Sequence, residues 1–269
     1  MSGETEAIAT RFLAARRSAG QLAFYPGEFP QGLSAAYDVQ DHAIATLGKP
    51  VLGWKVGRIG EPFDREHEAD RLAGPIFEVT EYNGQVPAMP VFARGFAAAE
   101  AEFLLRLGRA PAAGKRSFTL NEAADLIDAV HVGIEIASSP LRSINDLGPV
   151  AIVSDFGNNN GLLVGPAIVD WQSSGFEEWH VTTSVDGVEV GSGRAADFPD
   201  GVVGSARFLL ELMAARGISL KAGQWISSGA VTGVHAVRPG QDVEARFADD
   251  LVVPCDLVAA APAVNFKPA

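Results

Sequence analysis

Two glutamates one residue apart carry the first chemical signal in this chain. They lie in Ala97-Ala98-Ala99-Glu100-Ala101-Glu102-Phe103-Leu104-Leu105-Arg106-Leu107, a run that ends at Gly108. On a β-strand, Glu100 and Glu102 share one face, with Cα atoms about 6.5–7 Å apart. Two such side chains can converge on one cation, and hard oxygen donors suit Mg²⁺ or Mn²⁺ rather than Zn²⁺. Taken alone, a Glu-x-Glu is also what a half-exposed strand with its acids in water looks like. The flanking residues Ala97 to Ala101 are small, where a solvated strand would carry Lys, Thr or Arg. Glu135 then stands alone in Val132-Gly133-Ile134-Glu135-Ile136-Ala137, opposite in phase to Ile134 and Ile136. An acid in such apolar sequence needs a partner, because an unpaired buried carboxylate is disfavoured and protonates instead. A shared cation would meet that need.

Lys55 is an isolated cation in Gly53-Trp54-Lys55-Val56-Gly57, either a snorkelling surface lysine or a site residue. As a site residue, desolvation by Trp54 and Val56 is expected to lower its pKa. Ser154-Asp155-Phe156-Gly157-Asn158-Asn159-Asn160-Gly161 is a dense polar turn, and Ser227 to Gly233 is a glycine turn able to offer N–H groups and hydroxyls to an anion. Gly191-Ser192-Gly193-Arg194 is not a dinucleotide fingerprint, since Asp197-Phe198-Pro199 follows where a helix would have to open. The five histidines lack metal-site spacing, and structural or surface roles are expected for them. Cys255, the one cysteine, lies in an apolar run and reads as a buried, inert thiol.

The elements that must position these residues follow from periodicity. Residues 3–18 and 34–47 show helical spacing, each followed by glycine (Gly20, Gly48), so the first fifty residues form a helical N-terminal segment. From Pro50 short apolar runs broken by Gly and Pro indicate strands, and residues 51–269 are expected to form the domain that carries the site. A capping box of Thr119 and Glu122 predicts a helix over about 121–130, leading into a strand over 131–136. Asp186-Gly187 predicts a hairpin, 203–216 an amphipathic helix stopped by Gly217, and 225–226, 243–247 and 251–258 further strands. Strands do not alternate regularly with long helices, so an α+β mixed or antiparallel sheet with helices at one side is expected rather than a doubly wound fold.

With 269 residues, 47% hydrophobic and 20% charged, the chain can bury a large core. Its net charge of −12 opposes nucleic-acid binding. No stretch approaches the ~18 apolar residues of a membrane span, and the N-terminus lacks the basic and apolar regions of a signal peptide. No membrane association and a cytoplasmic location are expected.

In this order, Gly53-Trp54-Lys55-Val56-Gly57, Glu100-Ala101-Glu102, Gly133-Ile134-Glu135-Ile136, Ser154-Asp155 to Gly161, and Ser228-Gly229-Ala230-Val231-Thr232 resemble the 2-keto-4-pentenoate hydratase and 4-oxalocrotonate decarboxylase family of the fumarylacetoacetate hydrolase superfamily. The resemblance spans about residues 34–258. It implies a mixed β-sheet roll after a helical N-terminal part, one Mg²⁺ or Mn²⁺ per subunit held by Glu100, Glu102 and Glu135, and a homo-oligomer. It further implies a small 2-oxo or 2-hydroxy-alkenoic acid substrate, with Lys55 and Asp155 in catalytic positions. Asn159, Gly229 and Thr232 would line the substrate site. Apart from the likeness, Arg58 or Arg71 could pair with a second carboxylate if the substrate is a diacid.

The activity so implied is hydration of a 2-hydroxy-2,4-dienoate to a 4-hydroxy-2-oxo acid. Decarboxylation of a 2-oxo-3-enedioate, acylpyruvate-type C–C hydrolysis and a non-catalytic binding role are the alternatives. A glutamate rather than an aspartate at position 135 resembles the hydratase and decarboxylase branch more than the C–C hydrolases. The likeness departs at Arg58-Ile59-Gly60-Glu61-Pro62, Asp70-Arg71 to Phe77 and Asp197-Phe198-Pro199, which points to these segments as readers of the substrate's distal end.

Overall fold

The computed structural model describes residues 3–248 and 250–263. Helix α1 (Gly3–Arg17) places Glu4 and Glu6 in its first turn and Arg16 and Arg17 in its last, each matched to the helix dipole. Helix α2 (Leu33–Leu47) ends at Gly48, whose left-handed φ of 68° lets its N–H return to Ile44 O. Strand β1 (Gly53–Arg58) follows, then a short helix α3 (Phe63–His67) and strands β2 (Arg71–Ile76), β3 (Val79–Glu81), β4 (Ala88–Val91) and β5 (Phe96–Leu107). Next come α4 (Leu120–Ala124), β6 (Ile127–Ser139), α5 (Pro149–Ser154), β7 (Asn159–Ala167), and the hairpin β8 (Val181–Val185) and β9 (Val188–Gly193). The chain closes with α6 (Gly201–Arg216), β10 (Trp225–Ser227), β11 (His235–Ala236), β12 (Asp242–Phe247) and β13 (Leu251–Ala259).

The strands form two mixed sheets rather than one. The larger runs β2-β1-β10-β5-β6-β7-β3, with β11 also paired to β5; the smaller runs β4-β13-β12-β8-β9. In the larger sheet β1 is parallel to β10 and β3 to β7, the other pairs being antiparallel. The alternation of β5 builds the core. Ala99, Ala101, Phe103 and Leu105 meet Val132, Ile134 and Ile136 of β6, Val243, Ala245 and Phe247 of β12, and Leu209 and Met213 of α6. Helices α1 and α2 bury Ile8, Phe12, Leu13 and Val39 with Leu141, Ile144, Ala151 and Phe156, at the end of the larger sheet where β6 runs out and β7 begins. Cys255 is fully buried, and burial pushes its thiol up to about 12, as an inert structural cysteine requires.

The helix expected over 121–130 is shorter than its cap suggested. Both halves of the Thr119/Glu122 capping box form, yet α4 stops at Ala124. Beyond it Ile127, Val130, Val132, Ile134 and Ile136 are drawn into strand β6, because pairing along β5 buries that series against the second sheet. Tertiary pairing overrides the local helical start. The predicted hairpin at Asp186-Gly187 and the stop at Gly217 are both found.

At Gly133 strand β6 packs tightly against both neighbours: a Cβ there would run into the Leu104 side chain of β5 and the Leu163 carbonyl oxygen of β7. A backbone carbonyl cannot swing aside, so Gly133→Ala is expected to lower stability by about 1–3 kcal/mol. The urea unfolding midpoint measures this, and an unchanged midpoint would show that the strands have slack there.

Candidate metal centre and substrate cavity

The register of β5 and β6 sets Glu100 directly across from Glu135, and Glu102 across from Gly133. Ala99, Ala101 and Phe103 occupy the core face of β5, and Val132, Ile134 and Ile136 that of β6, so all three acids fall on the other face. They are buried there, Glu100 being 5% exposed and Glu102 and Glu135 0%. One carboxylate oxygen of each lies within 4.8 Å of the others.

Lys55 arrives from β1, with β10 between it and β5. Its Nζ lies 3.0 Å from Glu135 Oε2 and 3.4 Å from Asn158 Oδ1. Past β10 the chain turns back over Glu102, and Ser227 Oγ and the Gly229 N–H (2.9 Å) both donate to Glu102 Oε2. Gly229 takes a φ of 112°, which glycine adopts readily and other residues do not. The glycine turn does cradle an anion, and that anion is the chain's own glutamate. Asn159 Nδ2 donates to Glu135 Oε1 at 2.8 Å. Among the described residues, Glu102 Oε1 is buried without a hydrogen-bond partner.

The electrostatics are those of a site short of positive charge. Burial, opposed by Lys55 and reinforced by Glu135, pushes the Glu100 carboxyl up to about 7. Burial also lifts Glu102 well above the ordinary range, with Glu135 and Glu100 adding to the effect. For Lys55 the sequence-based expectation is reversed. Burial does act to lower it, but Glu135, then Glu100 and Glu102, outweigh burial and hold the ammonium above the ordinary lysine range. With all three acids ionised, three carboxylates against one ammonium leave two negative charges in a buried pocket, and a divalent cation would cancel them. The all-oxygen donor set and the orphaned Glu102 Oε1 fit a hard divalent ion such as Mg²⁺ or Mn²⁺.

Above the acids lies a cavity of about 410 Å³, in the range of small-ligand sites. Lys55, Glu100 and Gly229 line it, and so do Arg58, Asp70 and Arg71. Arg58 and Arg71 are paired across the β1–β2 ladder, three residues along β1 from Lys55, or about 10 Å of strand. Arg71 is buried; its Nη1 reaches Asp70 at 2.8 Å and its Nη2 the Pro199 carbonyl at 2.5 Å. All three segments where the sequence departs from the family pattern thus contribute to the cavity wall. Ser228 adds a buried hydroxyl that has no partner among the described residues.

Three expected site residues, Asp155, Thr232 and Asn159, do not line this cavity. Asp155, placed by sequence beside the substrate, is buried at the end of α5, where Arg16 Nε (2.5 Å), Arg16 Nη2 (3.0 Å) and Ser139 Oγ (2.6 Å) occupy its carboxylate. Its charge is spent on that ion pair and does not face the cavity. The Thr232 hydroxyl is taken up by Thr183 Oγ1 at 2.7 Å and His235 Nε2 at 3.1 Å. Asn159 serves Glu135 rather than lining the cavity. Asn158 and Arg16 are participants that sequence reasoning did not single out, whereas Ser227 and Ser228 belong to the glycine turn expected to offer hydroxyls to an anion.

No protein-family model and no curated protein matches the chain. Solved structures do share its fold. The 4-oxalocrotonate decarboxylase from Pseudomonas putida G7, complexed with magnesium and adipate, superposes with a TM-score of 0.79 at 19% identity, covering 94% of this chain and 97% of that one. Fumarylpyruvate hydrolase from Pseudomonas aeruginosa, in complex with Mn²⁺ and pyruvate, gives 0.55 at 16% identity over 77% of this chain and 89% of that one. A 2-hydroxyhepta-2,4-diene-1,7-dioate isomerase from Mycobacterium marinum gives 0.55 at 20% identity, over 78% of this chain and 77% of that one. At these identities the likeness is one of fold, and it is the fold that the motif resemblance implies.

The raised Glu100 carboxyl makes the stability of EDTA-treated protein depend on pH. Below the ordinary glutamate value of 4.5 both folded and unfolded states hold the proton; as pH rises through about 7 the folded carboxyl must ionise in its desolvated pocket. Stability contributed by the protonated form is therefore lost over that window. The expected result is a Tm that falls from pH 5 to pH 8 more steeply in the wild-type protein than in Glu100→Gln, read by calorimetry in EDTA. Parallel profiles for the two proteins would contradict this.

Proposed function

We propose that this chain is a metal-dependent enzyme of 2-oxo-alkenoate chemistry, and that it decarboxylates a 2-oxo-3-enedioate of the 4-oxalocrotonate type. The observation that carries this reading is the pairing of a buried three-glutamate, one-lysine cluster with two arginines in the wall of the same cavity. A substrate with an anionic 2-oxo acid at one end and a carboxylate at the other matches that distribution of charge. The Pseudomonas putida decarboxylase, whose structure holds the six-carbon dicarboxylate adipate, supports the choice of a diacid.

Glu100, Glu102 and Glu135 would hold the divalent cation, which when bound supplies a sink for negative charge developing on the substrate's C2 oxygen. The chain's own residues do the rest. Lys55, kept charged by the surrounding acids, donates a hydrogen bond from Nζ to the C2 oxygen or C1 carboxylate; it acts as a cation and acid, not as a neutral base. Arg58 and Arg71 orient the distal carboxylate. As the C5–C6 bond breaks, its electron pair forms C4=C5, the C3=C4 pair moves to C2=C3, and the C2 carbonyl pair becomes the enolate oxygen. Carbon dioxide and a 2-hydroxy-2,4-dienoate result once that oxygen is protonated. Buried Arg71 already gives hydrogen bonds to Asp70 and Pro199, so its hold on the departing carboxylate is partial and suits recognition more than retention.

Hydration of a 2-hydroxy-2,4-dienoate at C4 uses the same charge sink. The Asp70 carboxylate on the cavity wall, able to orient a water, favours it as the second reading. Product analysis separates the two: carbon dioxide from 2-oxohex-3-enedioate for the first, a 4-hydroxy-2-oxo acid from 2-hydroxypenta-2,4-dienoate for the second, and pyruvate from acylpyruvates if the chemistry is C–C hydrolysis. Activity that persists in EDTA or in Glu102→Gln would overturn the metal assignment.

Arg71→Leu is expected to raise KM for the enedioate about 10- to 100-fold, the loss of one or two hydrogen bonds to a charged group. Turnover of a monocarboxylate analogue should change little. An equal rise for both substrates would remove Arg71 from distal recognition.

A further inference from the structure

We infer that Arg16, on the last turn of helix α1, is a positioning residue for the metal centre and acts through Asn159. The inference rests on Glu100, Glu102 and Glu135 being metal ligands, as proposed above. Arg16 is far from them in sequence and does not touch any of them. It grips the backbone that delivers their partners.

The chain between α5 and β7 is unusual. Phe156, Gly157 and Asn158 take φ values of 59°, 65° and 54°, a complete left-handed turn in which only one residue is glycine. For a bulky residue such as Phe156 this region is disfavoured, and it persists only where the surroundings determine it. Immediately afterwards the β6–β7 ladder shifts register between Ile136 and Ala137, just past Glu135. A shift of this kind leaves backbone groups without ladder partners.

Arg16 supplies both missing constraints. Its Nη2 donates to the Ser138 carbonyl of β6 and the Asp155 carbonyl, each at 3.2 Å, and its Nη1 to the Asn159 carbonyl of β7 at 3.1 Å and to Asn160 Oδ1 at 3.3 Å. The same guanidinium forms the forked ion pair with Asp155 and lies over the rings of Phe92 and Phe156, at 5.6 and 5.3 Å. One planar fork thus ties the end of α5, the end of β6 and the start of β7 together. The segment it fixes presents Asn158 to Lys55 and Asn159 to Glu135. Without the fork, the left-handed turn can relax and Glu135 loses the donor that orients its Oε1.

Partners that orient a metal ligand typically change metal affinity by 10- to 100-fold when removed. Mn²⁺ dissociation constants, measured by calorimetry on protein that circular dichroism shows to be folded, test the inference. In Arg16→Met, Mn²⁺ binding is expected to weaken about tenfold or more. Asn159→Ala should weaken it similarly, and the double variant should be no weaker than Asn159→Ala alone, because both changes remove one connection. If Arg16→Met does not fold, Arg16→Lys takes its place. An ammonium there keeps the charge beside Asp155 but cannot span three segments, and the same weakening is expected.

Variants that lower Tm yet bind Mn²⁺ within twofold of the wild-type protein would overturn the inference, leaving Arg16 as a strut for α1. Multiplying effects in the double variant would overturn the route through Asn159. A wild-type protein that binds no Mn²⁺ would overturn the metal assignment itself and this inference with it.

Discussion

Two glutamates face each other across a pair of buried strands, and much else in this structure answers to that fact. Like charges directly opposite on a ladder repel, and burial removes the water that would screen them. Glu100 and Glu135 form such a pair, with Glu102 close by. The surroundings offset the cost piecemeal. Lys55 stands beside Glu135, Ser227 and Gly229 donate to Glu102, and Asn159 donates to Glu135. The Lys55 ammonium cancels one charge and the neutral donors only orient the acids, so two negative charges remain when all three are ionised. A structure that holds its acids in hydrogen-bond geometry, yet leaves one Glu102 oxygen without a hydrogen-bond partner among the described residues, is arranged for a cation rather than for protons.

The acid cluster was readable from sequence because it breaks a pattern. Glu100, Glu102 and Glu135 interrupt strands that are otherwise small or apolar, and period-two phase alone assigns them to the non-core face. Lys55 was readable for the same reason, but the direction of its pKa was not. That depends on which charges lie across the fold, and the local apolar neighbours Trp54 and Val56 point the wrong way. The two-sheet arrangement and the conversion of 127–130 from helix to strand were likewise decided by pairing partners distant in sequence.

Asp155 and Arg16 show the limit most clearly. Asp155 lies in a polar turn whose composition suits a binding loop, yet its carboxylate is consumed by a residue 139 positions away. Arg16 lies at a helix end, where a cation is expected simply on dipole grounds, and nothing in its neighbourhood distinguishes it from Arg17. Only when α1 packs against the end of the larger sheet does its guanidinium reach Asp155, Ser138 and Asn159. The helical N-terminal part therefore belongs physically to the environment of the site, although no residue of α1 lines the 410 Å³ cavity.

The acids and the core also constrain each other through alternation. On β5 the sequence Ala99, Glu100, Ala101, Glu102, Phe103 sends successive side chains to the inter-sheet core and to the site. A slip of one residue against β6 would drive two glutamates into the apolar layer and move Phe103 to the cavity side. The burial of Phe103 against Phe176 and Phe247 opposes that slip. Register shifts occur between Arg106 and Leu107 in the β5–β6 pairing, and in the β6–β7 pairing on both sides of Glu135, between His131 and Gly133 and between Ile136 and Ala137. The β5–β6 register is regular from Phe96 to Arg106. The core thus fixes the acids' spacing through the ladder, while the irregular ends re-aim the chain to bring in Asn158 and Asn159, residues a regular strand would have pointed elsewhere.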